Sequence, residues 1–163
     1  MKYFAYGSNM SLVRLQGRVP SAELVGVFSL KSHQLKFHKS SKDGSGKCDT
    51  FETDNEHDTV IGALFEIDPN EKNVLDKAEG LNNGYKEKTV SVYSDAGGKF
   101  DAVTYYATKI DSSLKPYSWY LNHVIIGAKE VKVPNEYLTI LESTESVEDL
   151  NKERDSKQRA MYS

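Results

Sequence analysis

Tyr3-Phe4-Ala5-Tyr6-Gly7-Ser8-Asn9-Met10-Ser11-Leu12 starts as a β-type run, breaks at a Gly-Ser-Asn turn and continues into a segment where Leu12, Arg14 and Leu15 fall at helical spacing. This predicts a strand, a tight turn and a short helix. Gly7 lets the backbone turn closely, so the amides of Gly7, Ser8 and Asn9 can point outward as a cradle for an anion or oxyanion. An ordinary strand-to-helix turn has the same local sequence. Pro20 ends this unit, and Glu23 to Leu30 and Gln34 to His38 read as two strands or one bent strand. Ser40 to Asp58 is polar and turns acidic, with Cys48 and Phe51 almost its only large apolar side chains, which predicts a long surface excursion.

Val60 to Ile67 reads as a strand that runs into Asp68-Pro69-Asn70-Glu71, a helix start with an N-cap acid, Pro at the first helical position and Glu at the third. Val74, Leu75 and Ala78 supply an apolar face, Gly80 closes the helix and Asn82-Asn83-Gly84 is a turn. Lys86–Tyr93 and Phe100–Ala107, joined through Asp95-Ala96-Gly97-Gly98, form a hairpin. A helix from about Ser118 to Ile126, ending at Gly127, and another from Pro134 with Tyr137, Leu138 and Leu141 inward, complete the domain. This order predicts an α+β fold on a largely antiparallel, closed sheet, with one domain over residues 1–141. Residues 142–163 are charged, with only Val147 and Leu150 to dock, and predict a frayed C-terminal helix or tail.

Composition narrows the function classes. At 163 residues the chain is long enough to bury roughly 70% of its unfolded surface without staples. One Cys excludes an intramolecular disulfide framework and any multi-Cys metal site. A net charge of -3 argues against a nucleic-acid partner, which demands a basic excess. No apolar run approaches the ~20 residues of a membrane span, and the first residues lack a signal-peptide core, so a soluble cytoplasmic protein is expected. Ten Tyr against six Phe and one Trp suits a wet pocket, and equally a half-exposed sheet.

Several nominal motifs fail on spacing. Gly44-Ser45-Gly46-Lys47 lacks the leading Gly of a phosphate loop, since Ser41 stands there, and Cys48 replaces the magnesium-binding hydroxyl. Asp49, Glu52, Asp54, Glu56 and Asp58 lack calcium-loop spacing, and His33, His38, His57 and His123 show no metal-ligand pattern, so no metal and no cofactor is expected. Ser8 is not in a nucleophile elbow. Cys48 has no local His or cation cluster to activate it.

Two features remain, the Tyr6-Gly7-Ser8-Asn9 turn and Glu79 in Leu75-Asp76-Lys77-Ala78-Glu79-Gly80. Together with Pro20-Ser21-Ala22, Gly84-Tyr85, Tyr120, Gly127-Ala128-Lys129-Glu130, Pro134, Glu136-Tyr137 and Leu141, they resemble the γ-glutamylcyclotransferase family over nearly the whole chain. The resemblance implies a small mixed or antiparallel β-barrel flanked by helices. It also implies an enzyme that releases 5-oxoproline and a free amino acid from γ-glutamyl amino acids, a step of glutathione metabolism. Carried over residue by residue, Glu79 becomes the general acid/base. Tyr3, Phe4, Ala5, Tyr6, Gly7, Ser8 and Asn9 become substrate-binding, joined by Tyr120 and, with Tyr106 adjoining, Tyr105. The Gly-Ala-Lys-Glu stretch favours γ-glutamyl amino acids over glutathione as substrate. γ-Glutamyl amines, another γ-glutamylated metabolite, and a non-catalytic anion-binding domain of the same fold remain alternatives, and a homodimer is compatible with the resemblance.

In the implied chemistry the substrate's own α-amine attacks its γ-carbonyl, so no Ser, Cys or metal is required. The enzyme's tasks are positioning and proton transfer. An α-amine near pKa 7.7–8.0 and a free Glu near 4.3 differ by about 3.5 units, roughly 5 kcal/mol, so Glu79 must be tuned upward. A helix C-terminal dipole supplies only ~0.3–1 kcal/mol of that, and burial beside tyrosine rings has to supply more.

Overall fold

The computed structural model describes residues 1–163. Strand β1 (Lys2–Ala5) leads through a 3-10 turn at Ser8–Met10 into the short helix α1 (Leu12–Gln16), capped by the Ser11 hydroxyl accepting the Arg14 N–H. Then come β2 (Glu23–Lys31), β3 (His33–Ser40), β4 (Gly46–Glu52) and β5 (Thr59–Glu66), followed by α2 (Lys72–Glu79) and the hairpin β6 (Tyr85–Tyr93) and β7 (Lys99–Ala107). Helices α3 (Ser118–Val131), α4 (Asn135–Glu142) and α5 (Lys152–Arg159) end the chain.

Five strands close into a barrel in the order β1-β5-β2-β6-β7. Every pairing is antiparallel except the seam, where β1 meets β7 in parallel at Tyr3 opposite Val103, so the barrel is mixed. A single backbone pairing is a thin seam, and the Thr104 hydroxyl reinforces it by donating to the Phe4 carbonyl at 2.8 Å. Phe4, Leu64, Phe65, Val60 and Val92 are fully buried in the core. The ring of Phe4 lies over Gly62 so closely that a Cβ there would stand 2.9 Å from its tip. Close packing of this kind makes the barrel interior intolerant of added volume.

Four local expectations differ from what folds. The Ser40–Asp58 stretch is no surface excursion: β3 and β4 pair as a two-stranded arm, Gly46 packs against the Phe37 carbonyl, and Cys48, Asp49 and Thr50 are buried. Few apolar residues were visible there because Asp49 is anchored by hydrogen bonds instead, accepting from the Ala107 amide at 2.8 Å and bonding His38 Nε2 at 2.7 Å. On α2 only Leu75 is buried, while Val74 and Ala78 face outward. Helix α3 runs through Gly127 to Val131, because that glycine marks a contact rather than an end: a Cβ on it would lie 2.3 Å from the Ser11 nitrogen. Finally, residues 142–163 dock through polar groups. Val147 and Leu150 are 41% and 90% exposed, whereas Asp149 is buried and accepts from the Trp119 indole and the Arg154 guanidinium.

Candidate active site

One end of the barrel holds a recess lined by Tyr3, Tyr6, Gly7, Ser8, Asn9, Cys48, Glu79, Tyr85, Tyr105 and Tyr120. The first strand delivers Tyr3 and ends just before Tyr6, and the turn after it sits beside the mouth of the recess. Gly7 is required there by crowding: a Cβ would stand 3.0 Å from that of Cys48 and 3.5 Å from the Tyr120 hydroxyl. Its amide donates to no acceptor in the protein, so it is free for an anionic oxygen.

Glu79 is the last residue of α2, and Gly80 follows in the left-handed conformation, φ 72°, that ends the helix. Two anchors hold that helix. The Ser21 hydroxyl donates to the Glu71 carboxylate and accepts the Asp68 amide, tying the start of α2 to the loop after α1. Asp76, one turn before Glu79, accepts from the Tyr105 hydroxyl at 2.6 Å and from Lys72, tying α2 to β7.

The carboxylate of Glu79 accepts a short hydrogen bond from the Asn9 side-chain amide, which also donates to the Tyr3 hydroxyl at 3.1 Å. Arg18 donates to the Asn9 side-chain oxygen Oδ1 at 3.1 Å and lies 3.4 Å from Glu79. Burial raises the Glu79 carboxyl above its ordinary value of 4.5, and the Arg18 and Arg14 guanidiniums and the Asn9 bond offset this without cancelling it. A carboxyl so placed can accept a proton more readily than a solvated one and return it.

The five tyrosines divide by what their hydroxyls do. Tyr6 donates to the Tyr105 carbonyl, Tyr85 to the Cys48 carbonyl and Tyr105 to Asp76, each at 2.6 Å, so their O–H groups are committed to the scaffold. Tyr3 and Tyr120 instead accept, from Asn9 and from the Cys48 amide, which leaves their own O–H groups for a ligand.

The structure thus brings Glu79, Tyr3, Tyr6, Gly7, Ser8, Asn9, Tyr105 and Tyr120 to one recess. Phe4 and Ala5 do not line it: Phe4 falls on the strand face opposite Tyr3, and Ala5, on the Tyr3 face, is a short side chain buried in the core. Tyr85, Cys48 and Arg18 were missed from the sequence. Tyr85 was legible only as part of the Gly84-Tyr85 pair, just before the strand expected from Lys86, and Cys48 reaches the recess by a fold of the β3–β4 arm that no local signal announces. Burial pushes the Cys48 thiol up to about 12, so it is a packing residue rather than a nucleophile. No three His, Cys, Asp or Glu side chains are grouped so as to hold a metal ion, and no helix is long and apolar enough to cross a membrane.

The AIG2-like family matches residues 59–141. A gamma-glutamylcyclotransferase from Bos taurus is 34% identical over 149 residues, covering 88% of this chain and 78% of that protein. The Homo sapiens gamma-glutamylcyclotransferase is 32% identical over the same coverage. A solved gamma-glutamyl cyclotransferase structure superposes with a TM-score of 0.88 at 28% identity, covering 98% of each chain. With the barrel, the turn and the helix-terminal glutamate all in place, the chain belongs to the gamma-glutamylcyclotransferase family.

Proposed function

We propose that the protein is a γ-glutamylcyclotransferase that converts γ-glutamyl amino acids to 5-oxoproline and a free amino acid. The observation that carries this reading is the Glu79 carboxyl, raised by burial and hydrogen-bonded to Asn9 of the Tyr-Gly-Ser-Asn turn. The glutamyl part enters the tyrosine-walled recess. Its α-ammonium gives a proton to Glu79, and the freed amine attacks the γ-carbonyl carbon. The carbonyl π electrons move to oxygen, forming a tetrahedral intermediate. Glu79 then protonates the leaving nitrogen and takes the second proton from the cationic ring nitrogen; the old amide C–N bond breaks as the C=O re-forms, and the released amine takes up that second proton as its ammonium. Atoms and charge balance without water or an outside nucleophile.

Ring closure benefits from holding the two reacting ends together, an advantage equivalent to on the order of 10⁵ M or more. Two anionic oxygens need donors, the α-carboxylate and the transient oxyanion. The Gly7 amide and the O–H groups of Tyr3 and Tyr120 supply them. A carboxylate raised above 4.5 narrows the gap to the amine that it must deprotonate. The reaction fits a cytoplasmic enzyme with a single buried thiol.

The test is Glu79→Gln with γ-glutamyl-alanine, glutathione and γ-glutamyl-lysine offered in parallel. Loss of general acid/base catalysis is expected to lower 5-oxoproline formation by about 10²–10⁴ in a protein with an unchanged circular-dichroism spectrum. A folded variant that keeps more than about 5% of the activity removes Glu79 from this role.

A further inference from the structure

The Glu79 recess opens into a wider basin of about 320 Å³ that shares Ser8, Glu79, Tyr85 and Tyr120 with it. Six cationic side chains line this basin: Arg14 and Arg18 around α1, Lys39 and Lys47 on the β3–β4 arm, Lys42 in its connecting turn and Lys77 on α2. Glu79 is the only acid among the lining residues. The chain as a whole has more acids than bases, 24 against 21, so the basin concentrates positive charge against the overall balance.

Two of the six have acid partners: Arg18 lies 3.4 Å from Glu79 and Lys47 lies 2.8 Å from Asp43. Arg14, Lys39, Lys42 and Lys77 form no salt bridge. Arg14 donates only to neutral acceptors, Ser8 Oγ at 3.2 Å and Gln158 Oε1 at 3.3 Å, and Lys39 sits 4.8 Å over the Tyr85 ring. Burial lowers the affinity of Arg14, Lys39 and Lys47 for their protons, and like charges lower it further, Arg18 acting on Arg14, Lys47 on Lys39 and Arg14 on Lys47. Several chain segments thus converge to hold mutually repelling cations, an arrangement that an anionic ligand would relieve.

We propose that this basin is the leaving-group subsite and that it selects γ-glutamyl compounds whose released amine carries two or more acid groups. This rests on the cyclotransferase reading and names its substrate class. The basin adjoins the recess at Glu79, the side from which the leaving nitrogen takes its proton. A simple amino acid brings one carboxylate there, and the glutamyl α-carboxylate accounts for at most one more cation. Four cations without acid partners exceed that demand. The extra acid is a carboxylate or a phosphate, which present the same chemistry to Lys and Arg.

γ-Glutamyl-glutamate and γ-glutamyl-glutamine have nearly the same shape and differ by one charge, and γ-glutamyl-phosphoserine against γ-glutamyl-serine repeats the comparison with phosphate. The acidic member of each pair is expected to show about tenfold higher kcat/KM, mostly through KM, with the advantage shrinking as salt rises to about 0.5 M. The Lys42→Gln/Lys77→Gln double variant, changed only at exposed positions, is expected to cut that ratio by half or more. If only one pair shows the preference, its acid identifies the source. Ratios below about three in both pairs, or ratios untouched by the double variant, overturn the proposal. Calorimetric binding to the Glu79→Gln variant reads the same ratio without turnover. Absence of 5-oxoproline from every substrate would therefore sink the cyclotransferase reading alone, and the binding ratio would still decide the basin.

Discussion

Tyr3 and Tyr6 stand three residues apart in one motif, yet their hydroxyls do opposite work. The Tyr6 O–H is spent on the Tyr105 carbonyl inside the core. Tyr6→Phe strands that buried acceptor and is expected to cost about 1–3 kcal/mol, visible as a fall in Tm. Tyr3 accepts from Asn9 and keeps its own proton for the ligand. Tyr3→Phe strands the Asn9 N–H that donates to it and so is expected to lower Tm by a similar amount, but it is expected in addition to lower kcat/KM by about tenfold, the value of one hydrogen bond to a charged group. Equal effects of the two substitutions on 5-oxoproline formation would erase the distinction. At this scale the sequence grouped residues that the fold brings to one recess, because the Tyr-Gly-Ser-Asn run is contiguous. It could not sort them, since which hydroxyl meets a carbonyl depends on barrel closure, and it wrongly swept in Phe4 and Ala5, whose strand neighbours do line the recess.

Elements with self-contained signals were legible. The Asp68-Pro69 helix start folds as expected, with the Asp68 side chain accepting the Asn70 amide, and the β6–β7 hairpin turns at Ser94–Gly98. Gly127 was misread because a helix-ending glycine and a glycine at a helix contact look alike in one dimension. Its Cα faces the Met10-Ser11 backbone, and a Cβ would stand 2.6 Å from the Met10 carbonyl carbon. Gly127→Ala should raise intrinsic helix propensity by up to about 1 kcal/mol. The contact decides the sign, however, because backbone cannot rotate away as a flexible side chain can. α3 must then shift relative to the 3-10 turn, carrying Tyr120 away from the Cys48 amide. The expected outcome is a Tm lower by several degrees together with reduced 5-oxoproline formation; a stabilised, fully active variant would show that α3 does not set the position of the turn.

Across the molecule, the basin and recess concentrate buried ionisable groups that folding disfavours. Glu79 is the clearest case. Its folded-state pKa lies above 4.5, so its contribution to stability is fully present below pH 4.5 and is lost as pH rises through the folded value. His123 acts in the opposite sense. Buried on α3 among Trp119, Gln158 and Tyr162, it is held down to about 4 by burial first and then by Arg14, so stability present above pH 6.5 is lost on acidification toward pH 4. In the wild-type protein the two slopes oppose each other through the mildly acidic range. Glu79→Gln deletes one slope and leaves the other, and all remaining carboxylates cancel in the difference. The Tm of the variant minus that of the wild type is therefore expected to grow as pH rises above about 4.5, to level off once pH passes the folded value and to end positive, while activity falls by about 10²–10⁴. Calorimetric melts of both proteins at half-unit pH intervals measure it. A difference that is flat, or that declines with pH, would mean that Glu79 ionises as easily in the recess as in water, leaving it no better a base than a surface glutamate.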